Sequence, residues 1–503
     1  MSLPESDKNK GSRPRDARPG ATVPDDEGPG DITRGRKVPF RIDPPVFWPS
    51  VVLILGFVAW TLVSTESVTA TFSTAADWLK ENLGWFYIIG VTVFLVFLIW
   101  IAMSRFGRIR LGGDDERPEH STATWFAMLF AAGIGTILMF WGVAEPLNHF
   151  ANPPRADTEP LSNDAARDAM AFTFYHFGLH TWTIFALPGL AFAYFIYKRK
   201  LPARLSSILA PLIGTRIYGP IGRIVDVVAV VGTVFGVAVS IGLGTMQISA
   251  GLNRLYGFDE SVSVQVLLII IVSLIACVSV ALGLDKGIKR LSNLNIVAAV
   301  LLLIFVLVAG PTLYLLRGTI EAIGGYLAEL PRLALWNDAF DENPGWQGGW
   351  TVFYWAWTIT WSPFVGIFVA RISRGRTIRE FVGGVLALPV LFSLVWFGIF
   401  GMASFRAEQD HGTLVDVVVD QGDVPGALFE FLSNFPWAPV MSLFSVIIVV
   451  IFFTTSMDSS SMVLDMMALG DEDKSNPVQR VVWAVLTGLV AAILLIGAGE
   501  AGL

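Results

Sequence analysis

The sequence is poor in charge. Asp, Glu, Lys and Arg make up 15% of its 503 residues, where a soluble globular chain carries about a quarter. That scarcity excludes an ordinary water-facing domain. Cysteine occurs once, at Cys277 inside an apolar run, so no disulfide can form within the chain. Histidine occurs five times, too few for the histidine boxes of a membrane di-iron oxygenase. The sequence has no HExxH, no GxSxG and no loop ending in GK[ST]. Zinc proteolysis, hydrolase chemistry and ATP-driven pumping therefore have no motif to carry them. No signal-peptide pattern opens the chain. Residues 1–40 are instead rich in Pro, Gly, Asp, Arg and Lys and read as a disordered tail.

What the chain has in excess is apolar surface. Hydrophobic residues make up 53% of it, and runs of about 20 recur, each long enough to cross a hydrocarbon core of about 30 Å. Eleven spans are expected, at 45–64, 85–104, 122–146, 169–197, 222–250, 263–283, 293–316, 349–372, 381–405, 437–468 and 478–500. Charge is sorted by side, so the net charge of -7 says little. With the N-terminus in the cytoplasm, the inner flank and loops carry 23 Lys and Arg, and the outer loops carry seven. That bias sets the orientation and fits a multi-pass protein of the cell (inner) membrane. Residues 319–336, TIEAIGGYLAELPRLALW, are amphipathic and too polar to span, and read as an outer interfacial helix.

Four segments carry chemistry. FYWAWTITWSPF (Phe353 to Phe364) has six aromatic rings in twelve residues. On a helix Trp357, Trp361 and Phe364 share a face. They lie inside the span rather than at its edge, where aromatic belts sit. Such rings suit a cation, above all a quaternary ammonium. Ser362-Pro363 is expected to loosen the helix there and free carbonyls for a ligand or ion. The alternative is plain helix packing. FAAGIGTILMFWGVAEP (Phe130 to Pro146) places Gly133 and Gly135 where backbone approach is easy, and Glu145 at an outer, solvated end. FYHFGLHTWTIF (Phe174 to Phe185) has His176 and His180 at i, i+4. With His120, His149 and His411 in or near loops, a metal site is disfavoured, and bonding between helices is the better reading of the pair. Phe177, Trp182 and Phe185 offer further rings. FFTTSMDSSSMV (Phe452 to Val463) offers Thr455 and Ser456 to a hard cation such as sodium, or to the carbonyls of their own helix.

Taken together, AWTITWSPFVGIFVARISRGRTIREF, GLDKGIKRLSNLN, FWGVAEP, GLHTW and TTSMDSSS resemble the betaine/choline/carnitine transporters from about residue 40 to the end. The resemblance implies an all-α polytopic fold. Two antecedent helices (45–104) would precede two inverted five-helix repeats of the leucine-transporter type, 122–316 and 349–500. It also implies a twelfth span and a C-terminal helix that this sequence lacks, so the chain reads as truncated. A substrate box is implied at Trp357, Thr358 and Trp361 with Phe177, Trp182 and Phe185, beside Gly133 and Gly135. Thr358, Phe177 and Phe185 replace larger or hydroxylated rings of typical betaine carriers, and Ile137 replaces a glycine. One sodium site maps to carbonyls of Ala131, Ile134 and Phe452 with the hydroxyls of Thr455 and Ser456. A second would use Thr233, position 237 and Phe364, but Val237 has no hydroxyl.

The implied function is sodium-coupled import of a quaternary-ammonium or sulfonium osmolyte of the betaine, choline, carnitine or dimethylsulfoniopropionate class. The implied assembly is a homotrimer in the bilayer. No cofactor beyond Na⁺, no catalytic residue and no nucleic-acid partner is expected. Proton coupling, sodium-independent exchange, a sensor or channel, and a histidine-dependent membrane enzyme are the alternatives.

Overall fold

An apolar segment in lipid has no water to satisfy its backbone, so its hydrogen bonds must close within a helix. The computed structural model describes residues 42–131, 135–281, 285–471 and 475–498, and it is all-helical. The helices are α1 (Pro44–Val63), α2 (Thr65–Met103), α3 (Thr122–Ala131), α4 (Gly135–Ala151), α5 (Asn163–Phe177), α6 (Leu179–Phe192), the short α7 (Leu205–Ile208) and α8 (Ala210–Ile213), α9 (Pro220–Tyr256), α10 (Val262–Ala281), α11 (Asp285–Ala309), α12 (Thr312–Leu333), α13 (Phe353–Ile372), α14 (Ile378–His411), the short α15 (Ala427–Ser433), α16 (Ala438–Leu469) and α17 (Pro477–Ala498). Among the described residues no strand forms. Nine helical stretches there are long and apolar enough to cross a membrane, and α11 with α12 makes a tenth, bent by 114°. The expected span at 122–146 is described as α3 and α4. Gly133 and Ile134 between them lie outside the described residues.

The second helix is longer than hydropathy suggests. It starts at Thr65, not 85, because Ser64 caps it by accepting from the Ser67 N–H. Gly84, Ile88, Val91, Leu95 and Leu98 are its buried stripe, spaced four and three apart, as one helix face requires. Phe94, Phe97 and Trp100 on its other faces are exposed, which only lipid tolerates.

Packing shows the repeats. Helix α4 packs on α14, as α13 packs on α6; α9 packs on α17, as α16 packs on α10; and α9 with α16, and α10 with α17, pack on each other. Exchanging α4 with α13, α6 with α14, α9 with α16 and α10 with α17 leaves this pattern unchanged. Equivalent spans are five apart, an odd number, so they cross the membrane in opposite directions. The repeats are therefore inverted.

The amphipathic helix begins earlier than expected, at Thr312, directly after the bend at Gly310-Pro311. It buries Leu315, Thr319, Tyr326 and Leu333. Its Tyr326 hydroxyl accepts from the Leu179 N–H at 3.3 Å. That bond satisfies a donor left at the break between α5 and α6, where Gly178 cannot carry a side chain: a Cβ would lie 2.3 Å from the Phe174 carbonyl oxygen.

At the opposite end, the SRGRT run forms a clasp. Arg110 and Thr377 make an isolated antiparallel bridge. The Arg376 guanidinium lies 4.0 Å over the Trp125 ring, whose indole donates to Ser373 Oγ at 2.9 Å. Gly375 has φ +79°, and a Cβ there would meet the Arg117 carbonyl oxygen at 2.4 Å, so only glycine fits. Arg374 pairs with Glu116 at 2.5 Å. The Gly113 N–H and then the Arg374 guanidinium hold the Glu116 carboxyl below its usual range.

Candidate functional site

Two small-residue contacts bring the aromatic helices together. Gly189 of α6 faces Gly366 of α13 so closely that a Cβ on Gly366 would lie 3.1 Å from the Gly189 nitrogen. Gly236 of α9 faces Trp361, where a Cβ would lie 3.0 Å from the Trp361 Cβ. Small residues allow such backbone approach. The rings then meet. Phe185 stands edge-on to Trp361 with centroids 5.2 Å apart, and Trp182 lies 5.7 Å from Phe185. Trp357, Trp361 and Phe364 follow one another at 6.3 and 6.5 Å. The expected rings thus form one buried cluster, with Phe177 set apart. Phe177 stacks on Phe397 at 4.3 Å and reaches the cluster only through Tyr354.

A small space of about 10 Å³, room for one water, opens between α4, α9 and α13. Ile137, Phe140, Trp141, Ser240, Gly244 and Trp357 line it. The indole N–H groups of Trp141, Trp357, Trp361 and Trp182 are buried without a partner. Thr358 does not line this space: it is buried and donates to the Tyr354 carbonyl at 2.6 Å.

The expected break at Ser362-Pro363 is absent, since α13 runs unbroken from Phe353 to Ile372. Proline leaves the Ile359 carbonyl without its helical donor, and the Ser362 hydroxyl donates to it at 2.9 Å instead. The Thr360 hydroxyl likewise takes the Trp357 carbonyl at 2.6 Å.

Of the first expected ion set, Phe452, Thr455 and Ser456 lie together on α16, and Ile134 lies outside the described residues. Ala131 ends α3, and Gly135 begins α4. A Cβ on Gly135 would lie 1.7 Å from the Phe452 ring, so α4 rests directly on the part of α16 that carries Thr455 and Ser456. Thr455 is buried and its hydroxyl donates to the carbonyls of Ile451 (2.9 Å) and Phe452 (3.1 Å); Ser456 is half-buried. In the second set Thr233 is buried with its hydroxyl unpartnered, and Val237 and Phe364 are buried on α9 and α13.

Two features were not legible in the motifs. Asn295, in the LSNLN run of α11, has its amide against α16. With the oxygen toward the helix N–H, it accepts from Phe452 N and donates to the Ile448 carbonyl, each at 3.2 Å. It straddles one rung of the α16 ladder beside the first ion set. Asn295→Ala is expected to remove that support and raise the sodium concentration for half-maximal uptake several-fold, with maximal uptake less affected. Sodium titration of uptake measures it, and an unmoved half-saturation would leave Asn295 a packing residue.

The second feature is Glu145, which is fully buried, not solvated. Its Oε1 lies 2.6 Å from His176 Nδ1 and 3.2 Å from His149 Nε2. The Gly178 break separates His176 from His180, so they do not act as one i, i+4 pair. His176 Nε2 instead reaches Thr351 Oγ1 at 2.8 Å, and His180 reaches Thr92 of α2 at 3.3 Å. Bonding between helices is what both histidines do. Glu145, His149 and His176 are the one group among the described residues whose ligand atoms gather within 4.8 Å of one another.

The described helices thus form an inverted-repeat bundle with a small ring-lined space between α4, α9 and α13, the form of a secondary transporter. The chain belongs to the betaine/carnitine/choline family of transporters, whose profile matches residues 45–503. It is a multi-pass membrane transporter and not an enzyme. It is 54% identical to the ectoine/glycine betaine/proline transporter EctP of Corynebacterium glutamicum, over 92% of this chain and 75% of that one. It is 41% identical to the glycine betaine transporter OpuD of Bacillus subtilis (91% and 89%), and 39% identical to the osmo-dependent choline transporter BetT2 of Acinetobacter baylyi (91% and 67%). A solved Na⁺-coupled sialic acid symporter in a substrate-bound outward-open state aligns at 13% identity with a TM-score of 0.43, covering 83% of this chain and 80% of that one.

Proposed function

We propose that this protein imports a small zwitterionic osmolyte, a quaternary ammonium or sulfonium of the betaine class, by symport with sodium. The observation that carries the substrate class is the lining of the central space. Buried ring faces attract a methylated cation, and the unpartnered indole N–H groups of Trp141 and Trp357 call for an acceptor such as a carboxylate. Unpaired buried donors are costly, and a zwitterion supplies both halves of the match. Glycine betaine, named for EctP and OpuD, has both halves, and choline, named for BetT2, has the quaternary ammonium alone. Sodium is supported by the meeting of α4 with the Phe452–Ser456 stretch of α16. The excess of basic residues on one side supports a cytoplasmic N-terminus in the cell membrane. The homotrimer rests on family resemblance.

Proteoliposome uptake of glycine betaine with and without an inward sodium gradient tests the coupling. Thr455→Ala with Ser456→Ala is expected to raise the sodium concentration for half-maximal uptake about tenfold or more, since each lost ligand bond is worth about 1 kcal/mol or more. Unchanged sodium dependence would place the ion elsewhere, and uptake that ignores sodium would end this reading.

A further inference from the structure

Away from the ring-lined space, the Ala151 end of α4 buries a carboxylate that no lysine or arginine faces among the described residues. Glu145, His149 and His176 each have 0% exposure. An ionised Glu145 beside two neutral imidazoles would leave a net negative charge in a buried aromatic shell built from Trp346, Trp350 and Tyr354. An uncompensated buried charge of that kind is strongly unfavourable. One proton removes the imbalance. His176 is placed to hold it, because as imidazolium it donates from Nδ1 to Glu145 and from Nε2 to Thr351. A second proton on His149 has no such home. Its Nδ1 has no partner, so an imidazolium there would add a buried unpaired N–H and a net positive charge.

The other titratable groups at this end do not replace that proton. Tyr354 of α13 faces Glu145, and His180 of α6 faces His176 but bonds to Thr92. Arg155 lies across the Phe172 ring from His176 and is spent on Asp168 and Glu329, at 2.6 and 2.7 Å. The cluster also joins three separate elements. Glu145 and His149 belong to α4, His176 to α5, and Thr351 to the π-helical turn Gly348–Val352 that leads into α13. Helices α4 and α13 are two of the three that line the central space.

We propose that Glu145, His149 and His176 form a binding site for one proton, and that this proton must be bound for the adjoining ends of α4 and α13 to close over the central space. Binding moves a proton from water to the His176 imidazole and makes or breaks no other bond. Opening hydrates the carboxylate and releases the proton. The proposal rests on the transporter architecture and is independent of which osmolyte or ion is carried.

The test uses the full-length protein with ring-labelled histidine, titrated by difference infrared spectroscopy from about pH 5 to about pH 9, which brackets ordinary imidazole titration. Beyond the signal of His120 and His411, which lie outside the cluster, one further imidazolium component is expected in the wild type and lost at alkaline pH. That component is expected to be absent in Glu145→Gln, whose neutral amide still accepts from the imidazoles but needs no proton. Uptake at fixed sodium is expected to fall about tenfold per pH unit above the transition and to become flat in Glu145→Gln. Should Glu145→Gln fail to insert, His176→Gln serves: it removes the group that holds the proton, so that band component and the pH dependence of uptake are expected to be lost. Three outcomes overturn the proposal: the same titration in Glu145→Gln, or in His176→Gln standing in for it, as in wild type; wild-type uptake that ignores pH; or stoichiometric zinc in the purified protein that His149→Gln loses. The last would make the cluster a metal site. Because the infrared titration needs no substrate, failure of the proton site stays distinct from failure of the osmolyte assignment.

Discussion

Trp361→Leu is expected to weaken osmolyte binding about 30-fold, and to bring uptake at low substrate near background. Trp361 is the ring on which the cluster converges. Phe185 meets it from α6, Trp357 and Phe364 flank it on α13, and Gly236 of α9 abuts its Cβ. A desolvated cation–π contact is worth about 2 kcal/mol, and each 1.4 kcal/mol is about tenfold in affinity. Leucine stays apolar but is smaller, and it discards the ring face and the unpartnered indole N–H. Trp361→Phe separates those terms, since it restores a ring face but no donor, and is expected to recover part of the affinity. Tryptophan fluorescence titration with glycine betaine, on protein shown to be monodisperse by size exclusion, gives both values. Wild-type affinity in Trp361→Leu would remove the cage from the mechanism and leave the rings as helix packing.

The membrane spans were readable because lipid enforces a simple rule: a span must be long, apolar and helical. The interlocking repeats followed from resemblance alone, since no sequence pattern states that α4 packs on α14 as α13 packs on α6. Where the reading went astray, tertiary contacts had overruled local signals. Pro363 removes one donor, but the adjacent Ser362 hydroxyl replaces it, so the helix does not break. Glu145 looks like a solvated helix end until His176, far along the chain on another helix, arrives at 2.6 Å. Thr358 occupies a position that resemblance assigns to the substrate, yet its hydroxyl is consumed by its own helix. Ile137, and not Thr358, lines the small space between α4, α9 and α13. The SRGRT run divides from its neighbour SPFVG for the same reason. It shares one stretch of sequence with the site but does a separate job, holding the clasp at the far end of α13.

Gly135→Ala is expected to cost more transport than the loss of any single ion ligand. The added methyl would fall 1.7 Å from Phe452 Cε1 and 2.0 Å from Cζ, well inside contact distance, so either α4 or the ring must move. The ring has little freedom: Phe452 is buried, and its backbone N–H is engaged by Asn295. Overpacking of this kind costs about 1–3 kcal/mol, and here it falls between the start of α4 and the hydroxyls of Thr455 and Ser456. Maximal uptake is therefore expected to drop more than tenfold, with the sodium half-saturation raised. The strain has a specific partner, which makes the explanation testable. Phe452→Leu removes the ring atoms that the methyl would strike, so the double variant is expected to recover sodium affinity that each single change loses. That non-additivity, of order 1–3 kcal/mol for residues in contact, is read from a double-mutant cycle on the sodium concentration for half-maximal uptake. Additive losses would mean that Gly135 and Phe452 act separately, and that α4 does not bear on α16 at the ion site.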